Sequence, residues 1–400
     1  MKGENIMKYI VIMLTIISLL IITACENKVD QAEMEKGEPA IKVDLATYIE
    51  NIEFPTNLSL GFESQDVKEF EKAKEYQASF YKFDTDRVIE ELLHGDVVSV
   101  EDWATGRYYE AVSTSMKEFL QIYGEGEKLV DDFVNVGGLR YMVFEKEGVN
   151  REKIWDVVSN EPGPGEMYTF QTKSNYSSYE DLAFLPFQDA LSEVENTLAT
   201  LGFPDMEVSE AYSLDVENMQ KHYDWNAEHL RTNDIEPIEF TFSKEDEAYL
   251  FFFRQVIDEI PVIDVIWQEG TRGAGEVTET PTSAIFSKEG LIELDSIGLY
   301  NLEGSSDLYE LLGASAALDI LLADYSRKIM LQETIIDSME LCYVGVVEHP
   351  NYKLIPAWVF VIQEAREVEE EFAAISLPHS YSYYVINAIT GERIMKAGTN

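Results

Sequence analysis

Ser79-Phe80-Tyr81-Lys82 sets a hydroxyl and an amine three positions apart, the spacing at which a helix start brings a serine nucleophile to a lysine base. Here the run Tyr76 to Phe83 has the pattern of a strand, on which positions i and i+3 face opposite sides, so the pair is not expected to react. Gly313-Ala314-Ser315-Ala316 opens a helical pattern but lacks the second glycine of a nucleophile elbow, and its small residues suit helix packing. Gly270, Gly273 and Gly275 lie between strand patterns without a lysine or a following helix, which fits a loop better than a phosphate cradle. His94, His222, His229, His349 and His379 fall at no zinc-binding spacing. Carboxylates are so numerous that pairs suited to glycoside hydrolysis arise by chance. Asp84-Thr85-Asp86 and Glu367 to Glu371 offer oxygen ligands for Ca²⁺, yet Asp84 or Thr85 suits a helix cap and the glutamates suit a solvated loop. The expectation is no catalytic residue, no metal, no cofactor and no enzymatic activity.

The covalent chemistry that the spacing does support lies at Cys25. An apolar run from Tyr9 to Ile22 follows Lys8 and closes on Ile22-Thr23-Ala24-Cys25, after which Glu26-Asn27-Lys28 turns abruptly polar. This resembles the lipobox of bacterial lipoprotein precursors, and the run is short for a bilayer core of ~30 Å. The resemblance implies cleavage between Ala24 and Cys25 and a diacylglyceryl group on the Cys25 sulfur. Two acyl chains hold where one is marginal, because each buried methylene adds ~0.8 kcal/mol. The membrane, on its outer face, is therefore the first expected partner. Lys2-Gly3-Glu4-Asn5 can be encoded by a ribosome-binding sequence, which makes Met7 the expected start.

Charge narrows the partners further. The chain carries 30 basic and 75 acidic side chains; without Lys2, Lys8 and Glu4 these become 28 and 74, a formal charge of −46. Phosphate backbones bind by displacing counterions with Lys and Arg, so nucleic acid is excluded as an expected partner. With Cys25 lipidated, Cys342 is the remaining thiol and no intramolecular disulfide can form. Its neighbours, Met339 to Val344, have a strand pattern, which fits a buried structural cysteine.

The elements follow from periodicity. Residues 1–24 are expected as a signal peptide and 25–40 as a flexible tether. Residues 41–186 are expected as an α+β domain in which Ile41 to Phe62 is extended, a helix starts at Asp84 or Thr85, and Gly138 to Gly148 and Met167 to Thr172 are strands. Residues 187–303 read as a helix plus antiparallel sheet. Phe187, Ala190, Leu191, Val194, Leu198 and Leu201 share one helix face ending at Gly202. Hairpins are expected around Ser243 to Asp246 and around Ser287 to Gly290. Residues 304–400 repeat that plan, with a helix face from Ala314 through Tyr325 to Ile329 and strands at Met339 to Val347, Tyr352 to Ile362 and Ser380 to Ala388. Ile260-Pro261-Val262 and Ile355-Pro356-Ala357 stand 95 residues apart, and Ala284 to Ile292 aligns with Tyr384 to Arg393, a near-constant offset expected of a duplicated unit. Both prolines are expected at strand edges or starts.

Leu354-Ile355-Pro356-Ala357-Trp358-Val359-Phe360, with Tyr383-Tyr384-Val385-Ile386-Asn387-Ala388-Ile389-Thr390-Gly391-Glu392 after an acidic insertion, resembles the terminal pattern of PepSY-like and YycI/YycH-like extracytoplasmic proteins. The whole layout is similar to Firmicute lipoproteins of uncharacterised function. Pro356, Trp358, Tyr384, Asn387 and Gly391 carry the likeness. It implies an α+β fold of repeated helix-on-antiparallel-sheet units after a smaller N-terminal α+β region. It also implies a non-catalytic binding or regulatory module of a Gram-positive bacterium, with a membrane or cell-wall protein as partner. YycI and YycH relatives use a transmembrane helix where this chain has a lipobox, so control of a sensor kinase rests on analogy alone. The solute-binding subunit of an ABC importer is the alternative, and a cell-wall hydrolase a third reading. Importer receptors need alternating strand and helix units, so a mostly antiparallel sheet favours the first.

Metabolic labelling with a fatty-acid probe is expected to tag the full-length chain and to leave Cys25→Ala untagged. Label on the Cys25→Ala chain would refute the assignment of the acylated thiol.

Overall fold

A computed structural model describes residues 43–130, 136–146, 176–232, 235–265, 267, 280–348, 351–365 and 379–395. The signal peptide, Ala24, Cys25, the tether, Met167 to Thr172, Gly270 to Gly275, His349 and Glu367 to Glu371 lie outside the described residues. In chain order the first elements are helix α1 (Leu45–Asn51), strands β1 (Leu58–Leu60), β2 (Lys72–Ala73) and β3 (Tyr76–Phe80), and helix α2 (Thr85–Leu92). Strands β4 (Asp96–Asp102), β5 (Gly106–Val112), β6 (Met116–Tyr123) and β7 (Gly138–Lys146) follow. Next come α3 (Phe187–Leu201), β8 (Met206–Leu214), α4 (Val216–Thr232), β9 (Ala248–Ile257), β10 (Ile260–Pro261), β11 (Thr282–Ser287) and β12 (Gly290–Ile297). The chain closes with β13 (Tyr300–Ser305), β14 (Tyr309–Glu310), α5 (Ala314–Tyr325), β15 (Thr334–Glu348), β16 (Asn351–Ala365), β17 (His379–Asn387) and β18 (Arg393–Ile394). Strand outweighs helix, 44% to 22%, and all but one of the ladders between these strands are antiparallel, so the fold is α+β.

Two large sheets carry the core. The nine-stranded sheet runs β10-β9-β11-β12-β7-β6-β5-β4, with β8 also on β9. Helix α3 packs against it through the expected face, with Phe187 5.6 Å from both Tyr249 and Phe251, and ends at Gly202. The seven-stranded sheet runs β1-β15-β16-β17-β18, with β3 on β16 and β13 on β3. Ala314, Ala317, Leu318, Leu321, Leu322 and Tyr325 of α5 bury against it beside Trp358 and Phe360. The Trp358 indole is fully buried and donates to the Leu312 carbonyl at 2.8 Å, which fixes the chain just before that helix.

Several expectations are corrected. The boundaries at 186 and 303 fall inside sheets, because β7 pairs with β12 and β3 pairs with both β13 and β16. Residues 44–400 accordingly form one unit. Ile41 to Phe62 is not all extended: Asp44 accepts from the Thr47 amide at 2.9 Å and starts α1, so a cap outweighs the strand-like run of aromatic and branched residues. Ser243 to Asp246 is a 3₁₀ turn closed by a reciprocal Ser243–Asp246 capping box, and Ile238 to Phe242 forms no strand, so there is no hairpin there. Helix α5 stops at Tyr325, which leaves Ile329 exposed. Pro356 lies inside β16, not at its start. It occupies the gap where β16 changes partner, since Leu354 is the last residue paired with β3 and Ala357 the first paired with β17, so its missing N–H breaks no ladder bond. The expected hairpin at Ser287 to Gly290 is present, and Gly290 takes the positive φ of 95° that its turn requires.

The two sheets meet at the C-terminal end of β9. Strand β10 pairs with β9, and the next residue, Val262, bridges to Tyr343 of β15. Gln255 accepts from the Tyr300 amide at 2.8 Å and donates to the Tyr300 carbonyl at 2.9 Å, pinning the start of β13.

Chemical denaturation of the full-length chain in detergent is expected to show one cooperative transition over this unit. Trp358→Ala should lower its stability by about 3–5 kcal/mol through the cavity it leaves. Ile329→Ala should cost less than ~0.5 kcal/mol. Two separable transitions, only one of them moved by Trp358→Ala, would contradict a single unit.

Candidate functional site

Charged groups meet at the seam between the sheets. Arg254 of β9 donates through both terminal nitrogens to Glu340 of β15, at 2.7 Å each, and through Nε to Glu207 of β8 at 2.8 Å. Both partners are carboxylates on strands, and this fork geometry holds the guanidinium firmly charged. Beside it, Asp264 is buried and accepts from the Ser209 hydroxyl at 2.8 Å. Burial raises the Asp264 pKa to about 6, a shift that the Arg254 charge only partly offsets. The Cys342 thiol is buried here too, and burial with the Glu340 charge pushes its pKa well up. That thiol stays protonated, as a structural cysteine does. Because the guanidinium is saturated by two carboxylates, the cluster acts as a clamp between β9 and β15.

A second buried carboxylate, Glu118 of β6, accepts from the backbone amides of His94 and Gly95 at 2.8 and 3.1 Å and from the Tyr141 hydroxyl at 2.8 Å. It also contacts His94 Nδ1 at 2.8 Å. These four partners saturate it, so it ties down the chain leaving α2. In the sequence Glu118 reads only as one polar residue of a strand.

The expected family-like residues are structural. Tyr384 is buried with Trp358 in the core under α5. The Asn387 side chain accepts from the amides of Ile389 and Thr390 at 2.8 and 3.0 Å, and Gly391, at φ 75°, closes the same turn into β18. His94 and His222 lie on different parts of the nine-stranded half, and burial lowers the His222 pKa to about 4. Among the described residues no group of three or more His, Cys, Asp or Glu side chains is placed to hold a metal ion. Ser79 and Lys82 do come to one cleft, of about 360 Å³, without a hydrogen bond between them.

An exposed aromatic feature lies at the other end of the nine-stranded sheet. Trp103, Tyr108, Phe119 and Phe144 form a row across the β4–β5 turn, β5, β6 and β7, with ring centroids 4.0, 5.0 and 5.9 Å apart in succession. The terminal rings are open to solvent, Trp103 at 50% and Phe144 at 46%. Strand β4 ends the sheet beside them, with no strand on its outer edge among the described residues; its Val100, 53% exposed, pairs with Tyr109 and so lies on the other face of the sheet. Asp96 and Glu101 add negative charge beside this surface, Glu101 accepting from the Trp103 indole at 3.1 Å, while Glu110 is paired with Lys117 at 3.2 Å. Strand patterning does not predict it, because a row across four strands depends on pairing register and not on neighbours in sequence.

No family model and no curated protein matches the chain. A crystal structure of an uncharacterised protein from Eubacterium rectale is similar to it, with a TM-score of 0.54 at 15% identity over 82% of this chain and 88% of that one. The likeness is one of fold.

The Asp264 carboxyl gives a signed pH dependence. Between the unfolded value of 3.8 and about 6 the folded state keeps a proton that the unfolded state releases, so stability falls as pH rises through that window and the cost is complete above it. Asp264→Asn is expected to be more stable than the parent by about 1–3 kcal/mol at pH 7 and to lose that advantage by pH 4. Denaturation midpoints at both pH values check it, and a difference that does not vary with pH contradicts it.

Proposed function

We propose that the chain is a non-catalytic, lipid-anchored extracytoplasmic binding or regulatory protein that docks a partner on the β4 end of its nine-stranded sheet. The observation that carries this reading is the exposed row Trp103–Tyr108–Phe119–Phe144 beside the open edge of β4. Monomeric proteins seldom leave a contiguous aromatic row in water unless something binds it. An open edge accepts an extended segment through backbone hydrogen bonds. The acidic frame and the −45 charge of the whole chain select a segment rich in Lys and Arg. The occupant is therefore an extended basic segment of a membrane or cell-wall protein.

The address rests on the Cys25 lipobox. The fold supports the duplicated plan in part: α3 is followed by β8-β9-β11-β12 and α5 by β15-β16-β17-β18, each an antiparallel run in which successive strands pair. Within it β11 and β12 correspond to β17 and β18, as the Ala284 and Tyr384 alignment expects. Pro261, in the two-residue β10, has no counterpart of Pro356 inside β16. The mostly antiparallel pairing also weighs against an importer receptor, whose lobes alternate strand and helix.

A photo-crosslinker placed at Val100 in intact cells is expected to trap a discrete envelope protein. Trp103→Ala and high salt should each cut the yield several-fold, and a crosslinker at Ile329 should trap none of it. Equal capture from both positions, or a yield indifferent to Trp103 and salt, would overturn the docking surface.

A further inference from the structure

Strand β3 creates a cleft by changing neighbours. Tyr76, Gln77 and Ala78 pair with Leu354, Lys353 and Tyr352 of β16, while Ser79 and Phe80 continue only against Asn301 and Tyr300 of β13. Strand β16 begins at Asn351, and among the described residues no strand pairs with Ser79 to Lys82 on that side. The opening encloses about 360 Å³, at the small end of the ~300–1,000 Å³ range of ligand sites.

Its lining is unusual for this chain. Phe80 and Tyr352, 4.6 Å apart, border the cleft with their rings buried on the core face. Ser79, Asn301 and Asn351 place a hydroxyl and two carboxamides on the other face, and Asn351 is steadied by a 3.0 Å hydrogen bond from its amide nitrogen to Glu303. Lys82 lines the mouth. Most described basic side chains of this acidic protein contact a carboxylate, as in Lys72–Glu310, Lys353–Glu75 and Arg393–Asp324. Lys82 is one of the few with no carboxylate within 4.0 Å among the described residues, and its place in the lining of the cleft leaves its ammonium available to an anion from outside.

We propose that this cleft binds a small acidic sugar. The carboxylate pairs with the Lys82 ammonium, and ring hydroxyls exchange hydrogen bonds with Ser79, Asn301 and the carbonyl side of Asn351. The site is separate from the β4 docking surface, so each stands or falls alone.

Calorimetric titration of the full-length chain in detergent tests it, with glucuronate, N-acetylmuramate, glucose and inorganic phosphate as probes. At least one of the two acidic sugars should bind, glucose should bind at least tenfold more weakly, and phosphate should not displace the bound sugar. Lys82→Gln, an exposed substitution whose folding is checked by its unchanged melting midpoint, should weaken the acidic sugar at least tenfold, and Asn301→Ala several-fold. Absence of binding up to about 10 mM, unaltered affinity in Lys82→Gln, or displacement by phosphate at equal concentration would overturn the proposal.

Discussion

The end of β9 carries the constraint on which the rest of the structure depends. Within two adjacent residues, Arg254 grips β15 through Glu340 and Gln255 grips β13 through both backbone groups of Tyr300. The following turn sends β10 to bridge Tyr343. A strand has two faces and two edges, and β9 uses its terminus to tie one sheet to the next while its middle pairs with β8 and β11. Desolvating the Arg254 guanidinium is costly, and the bidentate contact offsets that cost only while both sheets stay in register. The polar cluster therefore specifies how the sheets meet, and the apolar cores on either side supply the stabilisation.

Legibility of the fold tracked the range of the interactions involved. The α3 face from Phe187 to Leu201 was readable because helical periodicity is local, and the Ser287 to Gly290 hairpin because its turn chemistry sits in four residues. The domain boundaries were not readable, because the β7–β12 and β3–β16 pairings join residues more than a hundred positions apart. The two prolines show the same distinction: Pro261 and Pro356 share a dipeptide and occupy different backbone settings, one in the two-residue β10 and the other inside β16.

The candidate sites show a sharper limit. Pro356, Trp358, Tyr384, Asn387 and Gly391 stand out in sequence because packing and turns constrain residue type, and the structure spends them on packing and turns. Exposed binding residues are under no such local rule. Trp103, Tyr108, Phe119 and Phe144 become a surface only when four strands set them side by side, and Lys82 becomes notable only when the fold places it in the lining of a cleft. Ser79 lies on β3, the strand that its pattern expects, while Lys82 follows the strand's end. The strand pattern says nothing of the cleft, which Ser79 and Lys82 line where the described part of β16 begins.

Proximity of the cleft to the seam bears on what occupancy can do. The Phe80 ring stacks on Tyr300 at 5.8 Å, Tyr300 meets Tyr352 at 5.5 Å, and Gln255 holds the Tyr300 backbone, so the strands that border the cleft are fixed to β9 from their core face. A ligand shifts a conformational equilibrium only by its differential affinity for two arrangements. At this seam the Tyr300 backbone is held on both its donor and its acceptor by Gln255, and Arg254 is forked, so both contacts favour the same arrangement. Occupancy of the cleft then acts on stability by mass action and not by moving the sheets, and the β4 surface, at the far end of the other sheet, is independent of it.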